Sequence, residues 1–161
     1  MVINLGSFFN TKNKNSKISD FQDLDHLDGV AISVVNAKLY NPSRDDLVLF
    51  YFRNGANFAS VYTQSTITSE NIKWNKLINS KKIKALLINT RNANAFTGKS
   101  GFQGLKEIAE ELSNQLSTKK KNDDEEFEKV RPKDILFGCT GTIGENFPAR
   151  KIIDSLPELI S

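Results

Sequence analysis

Residues that serve metal, disulfide and acid–base chemistry are scarce in this chain: its 161 residues include one cysteine and one histidine. A single cysteine rules out an internal disulfide, which suits a reducing compartment, and with one histidine it cannot supply a four-ligand Cys/His zinc site. No metal is expected. His26, in the run Leu24-Asp25-His26-Leu27-Asp28, sits among charged residues and reads as a surface histidine without a role. Cys139 lies beside a glycine, but nothing in the sequence identifies a base for it, so it reads as a small packing residue. No apolar run approaches the roughly 20 residues of a membrane helix, and no signal-peptide core is present. Charge of one sign is lacking too. The 22 Lys and Arg barely exceed the 19 Asp and Glu. The densest basic run, Lys119-Lys120-Lys121, is followed by Asp123-Asp124-Glu125-Glu126. Residues 118–130 therefore read as a solvated charged connector, and with no aromatic platform beside it no nucleic-acid partner is expected. The glycine spacing fits neither a P-loop nor a dinucleotide fingerprint, so no phosphate cofactor is expected, and no internal repeat is apparent.

The length suffices for one domain with a real core. Residues 1–20 read as a disordered leader, since the first 19 hold lysines, serines and asparagines but no Asp or Glu, a bias shared with organelle transit peptides. Leu47 to Phe52 is a strong strand candidate, and Asn54-Gly55 predicts a hairpin turn into a second strand over Phe58 to Tyr62. Gly29 to Val35 is expected to pair with this hairpin. An antiparallel start followed by strand–helix units gives an α+β, or mixed α/β, fold.

Two stretches carry most of the remaining information. Ala85-Leu86-Leu87-Ile88 is a short apolar run that reads as a buried strand, and the chain leaves it at Asn89. Asn92-Ala93-Asn94-Ala95 and Thr97-Gly98 then predict packed polar turns, with amides bonding nearby backbone. Ser100 and Gln103 have the spacing of a capping box. Beyond them Phe102, Leu105, Ile108, Ala109, Leu112 and Leu116 recur at helical intervals, with Lys106, Glu107, Glu110 and Glu111 largely outside that face. In the second stretch, Ile135-Leu136-Phe137 reads as a strand and Gly138-Cys139-Thr140-Gly141 as the turn out of it. Such a turn can simply hold a satisfied hydroxyl. A threonine hydroxyl beside a glycine N–H at a strand end can also present two donors to one point, as an oxyanion hole does.

Taken together, Asn92-Ala93-Asn94-Ala95, Thr97-Gly98, Gly101, Thr140-Gly141, Ile143-Gly144 and Pro148 resemble the pattern of the ornithine acetyltransferase family, also called glutamate N-acetyltransferases, the ArgJ family of arginine biosynthesis. Asp28-Gly29-Val30, Arg44-Asp45-Asp46-Leu47 and Val61-Tyr62-Thr63-Gln64 extend the resemblance, which runs from about Phe21 to the last residue. Each short piece alone is weak, and their order is specific.

The resemblance implies a layered sheet-and-helix architecture and an acetyl transfer from N-acetylornithine to glutamate through an acyl-threonine, with acetyl-CoA as a further possible donor and no cofactor. The threonine is freed by self-cleavage of the precursor. The family's oxyanion pair falls on Thr140 and Gly141. Its nucleophile, its substrate-binding lysine and glutamate and its C-terminal asparagine all lie after that pair, and no nucleophile of this kind is present here. Residues 21–161 are accordingly expected to be the N-terminal portion of such an enzyme, incomplete at the C-terminus. Its expected partner is the missing C-terminal portion or β chain, in the α2β2 heterotetramer that the family implies. The location implied is the cytoplasm, or an organelle such as the mitochondrion in a eukaryote.

Several positions depart from the family pattern. Arg91 stands where a glycine is usual before Asn-Ala-Asn-Ala, so a family glycine at positive φ would leave the arginine strained. Lys38 also replaces a glycine, Cys139 a serine and Thr142 a valine, and Glu70-Asn71-Ile72 replaces an Ala-Pro-Val-like element. These changes keep open an alternative, a non-catalytic pseudoenzyme or binding domain that retains the scaffold.

Overall fold

A computed structural model of the chain describes residues 27–39, 44–118 and 129–161. The leader expected over residues 1–20, His26 and most of the charged connector lie outside the described residues. Four strands form one sheet in the order β1-β2-β3-β4: β1 (Val30–Val35), β2 (Leu47–Asn57), β3 (Lys82–Asn89) and β4 (Ile135–Cys139). The first two pairings are antiparallel and β3 with β4 is parallel, which gives the mixed α/β architecture expected from the sequence. Helix α1 (Glu70–Leu77) precedes β3, helix α2 (Gly98–Thr118) joins β3 to β4, a short 3-10 turn (Pro132–Asp134) leads into β4, and α3 (Ala149–Ile160) closes the described chain.

Residue alternation along the strands explains the layering. Leu47 and Leu49 of β2 stand opposite Asn89 and Leu87 of β3, and Ala85 and Leu87 stand opposite Ile135 and Phe137 of β4. The apolar side chains among these share one face and are buried against Leu105, Ile108, Ala109 and Leu112 of α2 and Ile152, Leu156 and Leu159 of α3. The apolar stripe of α2 is the one its sequence periodicity announces. At the sheet margin, Ser33 Oγ donates to the carbonyl of Leu159 at 2.6 Å and so ties β1 to the end of α3.

The predicted hairpin does not form. β2 continues to Asn57, and Asn54-Gly55 sits in an irregularity between the Tyr51–Ala85 and Ala56–Ile83 pairs rather than in a chain reversal. Gly55 has φ 71°, and a Cβ there would come within 3.3 Å of the Ile83 carbonyl oxygen, so the glycine admits close approach of the two strands at a bulge. Residues 58–62 belong to no strand. The pairing of β1 with β2 does form as expected, with Val30 opposite Phe52 and Val35 opposite Leu47.

Helix α1 protects the outer edge of β4. Trp74 Nε1–H donates to the Ile135 carbonyl at 2.9 Å, Asn75 Nδ2 donates to the Phe137 carbonyl at 2.9 Å, and Phe137 N–H donates to Asn75 Oδ1 at 3.0 Å. The Asn75 amide thus takes the place of a neighbouring peptide and blunts an edge that would otherwise be open for pairing. The Trp74 ring also meets Phe137 edge-on, centroids 5.6 Å apart.

Candidate active site

Strands β3 and β4 run parallel, and their C-terminal ends carry both stretches singled out in the sequence. The ladder continues past the strand ends. Thr140 N–H donates to the Asn89 carbonyl (3.1 Å), Thr142 N–H to Arg91 (3.0 Å), Ala93 N–H to Thr142 (3.0 Å) and Gly144 N–H to Ala95 (2.9 Å). The Asn-Ala-Asn-Ala loop and the segment after Cys139 are therefore zipped together, with Asn92 bridged to Thr142.

Three buried asparagines hold the loop. Asn89 Nδ2 donates to the Asn92 carbonyl at 2.8 Å. Asn92 Oδ1 accepts from Asn94 N–H at 3.0 Å, and Asn92 Nδ2 donates to the Asn146 carbonyl at 3.3 Å. Asn94, with no exposed surface, accepts from the Thr97 hydroxyl at 2.6 Å through Oδ1 and donates to the Gly101 carbonyl at 3.3 Å through Nδ2. Buried amides are stabilising only when so satisfied, and here each fixes backbone several residues away. A Cβ on Gly101 would come within 2.0 Å of Thr97 Oγ1 and 2.3 Å of Asn94 Oδ1, so only glycine fits under this pair.

The capping box expected at Ser100 and Gln103 is not made. Ser100 Oγ donates to the Thr97 carbonyl and Gln103 Nε2 to Glu107 Oε1. The helix begins earlier, at Gly98, because Asn94 and Thr97 already fix the chain there. Sequence reasoning missed that role for Thr97, and missed Asn89. The available signal was Asn94, Thr97 and Gly101 at spacings of three and four.

Thr140 and Gly141 are adjacent at the exposed end of β4. Gly141 has φ 134°, and a Cβ on it would lie 2.2 Å from the carbonyl carbon of Arg91, so its glycine identity is set by backbone contact with the other stretch. No hydrogen bond within the described residues engages the Thr140 hydroxyl or the Gly141 N–H. An oxyanion hole needs two such donors aimed at one point. Arg91 itself has φ 80° and Lys38 φ 54°, the left-handed region at both places where glycine was expected. Cys139 packs against the core, and burial pushes its thiol up to about 12, which leaves it protonated and unreactive near neutrality. Among the described residues no three His, Cys, Asp or Glu side chains gather into a metal site, and no helix is long and apolar enough to cross a membrane.

Comparison with known proteins identifies this architecture. The family model for the ArgJ family matches residues 31–161. The chain belongs to the ArgJ family. The arginine biosynthesis bifunctional protein ArgJ of Gluconobacter oxydans is 32% identical over 136 residues, 84% of this chain and 29% of that protein. The ArgJ of Nitrobacter winogradskyi is 30% identical over 148 residues, 89% of this chain and 33% of that protein. This chain thus spans about a third of the length of such relatives. Two crystal structures share its fold. The ArgJ of Bacillus halodurans gives a TM-score of 0.67 at 21% identity, over 80% of this chain and 62% of that one. The ornithine acetyltransferase of Mycobacterium tuberculosis, solved with ornithine, gives 0.72 at 21% identity, over 83% and 66%.

Proposed function

We propose that this chain is the N-terminal portion of an acetyltransferase of arginine biosynthesis, and that it supplies the oxyanion hole for acetyl transfer from N-acetylornithine to glutamate. The observation that carries this reading is the unengaged donor pair, the Thr140 hydroxyl and the Gly141 N–H, held on a ladder built from family-like residues. When a nucleophilic threonine attacks the acetyl carbonyl of N-acetylornithine, the carbonyl oxygen gains negative charge. The pair would then donate two hydrogen bonds to it, each contributing a few kcal/mol of transition-state stabilisation. Ornithine leaves, and glutamate attacks the acyl-threonine in the same cradle. The nucleophile comes from a C-terminal portion or β chain, in an α2β2 assembly, and the reaction belongs to the cytoplasm.

The test is to co-produce the chain with the C-terminal portion of a family member and assay acetyl transfer from N-acetylornithine to glutamate. Thr140→Ala should lower kcat by about 10²-fold, the effect of one lost oxyanion donor, with KM little changed. Full activity in a variant carrying both Thr140→Ala and Gly141→Pro would refute the assignment. A second reading, a scaffold without catalysis, draws on the strained Arg91 and Lys38. It predicts no transfer in any combination.

A further inference from the structure

A cation stands beside the donor pair. The Arg91 carbonyl accepts from Thr142 N–H at 3.0 Å, and a Cβ on Gly141 would lie 2.6 Å from Arg91 Cα. One further C–C bond sets the two α-carbons no more than about 4 Å apart. The arginine therefore sits at the donor pair itself. It holds φ 80° there, a conformation that glycine adopts without penalty and that persists with a side chain only where its surroundings over-determine it. The residue is half-buried, yet among the described residues its guanidinium makes no ion pair and no hydrogen bond. Its five N–H donors are unused.

We infer that Arg91 binds the α-carboxylate of an N-acyl-α-amino acid whose acyl oxygen rests on Thr140 and Gly141. The inference rests on the proposed function and deepens it, because N-acetylornithine, the donor in that reading, and N-acetylglutamate, its product, both belong to this class. In such a molecule the carboxylate is only a few bonds from the acyl oxygen, and an arginine stem is long enough to span that interval from a backbone already pressed against Gly141. Guanidinium suits this ligand. Its planar fork offers two parallel N–H donors to the two carboxylate oxygens, a charge-assisted arrangement that fixes orientation as well as position. With the carboxylate held, the acyl group is anchored at one end and its carbonyl is kept on the donor pair. A glycine at this position, as in the family pattern, would leave that contact unmade. Arg91 is thus a specificity element of this chain's own, and the strained backbone is retained where its side chain has work on the ligand.

The experiment titrates the chain with N-acetylornithine and with N-acetylputrescine, the same molecule without its carboxylate, and follows the Gly141 N–H and Arg91 Nε–H resonances by NMR. Wild type, Arg91→Gly, Arg91→Gln and Arg91→Lys are compared, with circular dichroism confirming the fold of each. Glycine fits the backbone here and glutamine keeps much of the stem without its charge, so the neutral test does not depend on one variant. In the wild type N-acetylornithine should bind at least about tenfold more tightly than N-acetylputrescine and should shift the Arg91 Nε–H, which N-acetylputrescine should leave in place. That preference should vanish in Arg91→Gly and Arg91→Gln and survive in part in Arg91→Lys, which keeps the charge and loses the fork. Equal affinity of the two compounds for the wild type overturns the inference. So does a preference that the neutral variants retain, or an absence of binding to the wild type. The two readings fail separately. A carboxylate-dependent Arg91 shift with the Gly141 N–H unmoved would sink the oxyanion hole and keep the arginine contact, and a Gly141 shift common to both compounds and indifferent to Arg91 would do the reverse.

Discussion

Replacing Arg91 by glycine should make this protein more stable. Arg91 sits at φ 80°, where a Cβ is disfavoured, and its backbone is locked on both sides. Its carbonyl accepts from Thr142 N–H at 3.0 Å, and its carbonyl carbon is the atom that a Cβ on Gly141 would strike. The residue therefore cannot relax its φ without breaking the ladder. A non-glycine residue held in this region costs about 1–3 kcal/mol. Glycine removes that cost but enlarges the freedom of the unfolded chain, an opposing term of about 0.4–1 kcal/mol. Strain wins. The expected net gain is about 1 kcal/mol, or about 2–4 °C in Tm for a domain of this size.

The arginine stem is only half-buried, so lost packing has to be separated from relieved strain. Arg91→Ala does this, because it removes the long side chain and keeps the Cβ. Urea titrations of the wild type, Arg91→Ala and Arg91→Gly at constant m then isolate the backbone term as the difference between alanine and glycine. Glycine should exceed alanine by about 1 kcal/mol. An alanine variant as stable as the glycine variant, or more so, would refute the reasoning. Lys38, at φ 54°, lies nearer the centre of the left-handed well, so Lys38→Gly should change stability by less than Arg91→Gly.

Three further outcomes are expected. Gly101→Ala should destabilise by about 2–3 kcal/mol in urea titration, because its methyl group would overlap Thr97 Oγ1 and Asn94 Oδ1 in a buried site. Asp46→Ala should cost about 3 kcal/mol, because the buried carboxylate accepts from Ala37 N–H at 2.8 Å and Leu39 N–H at 2.9 Å, and both donors would be left without it; Asp46→Asn should lose less. The raised Cys139 thiol stabilises the fold fully below the ordinary thiol range, and that contribution shrinks as pH climbs from 9 towards 12, because the unfolded chain loses the proton first. The Tm gap between wild type and Cys139→Ala should therefore shift against the wild type between pH 8 and pH 10, and a constant gap would contradict the burial.

The fold was most legible where burial writes a period into the sequence. The strands around Ala85–Ile88 and Ile135–Phe137 and the apolar face of α2 are each long enough and regular enough to read. Asn54-Gly55 misled because a turn signal is local. Whether the chain reverses depends on what comes next, and here Ala56 and Asn57 pair onward with Ile83 and Lys82. Helix α1 left almost no trace, since its hold on β4 is made by an indole N–H and a single amide rather than by an apolar stripe. The capping box failed for a similar reason: Ser100 and Gln103 have the right spacing, but the helix start had already been fixed by Asn94 and Thr97. Residue types at the candidate site were visible in the sequence. That Arg91 and Gly141 press backbone to backbone was not, because the contact joins residues far apart along the chain.

Strand parity explains why the Gly141 N–H is available. In a parallel ladder, alternate residues direct their N–H groups to the same neighbour. Thr140 and Thr142 both donate to the β3 side, to Asn89 and Arg91, so Gly141 between them directs its N–H away. Along β4 that outward direction is occupied by Asn75, which receives the N–H of Phe137. Helix α1 meets the strand only that far up, and two residues beyond Cys139 nothing described accepts the corresponding N–H. The donor is thus exposed by the same alternation that buries its neighbours, and it stays fixed because Thr140 and Thr142 are bonded on either side. A loop of equal sequence without the Asn89–Arg91 register would offer the same atoms without that fixed direction, and preorganised direction is what gives an oxyanion donor its effect.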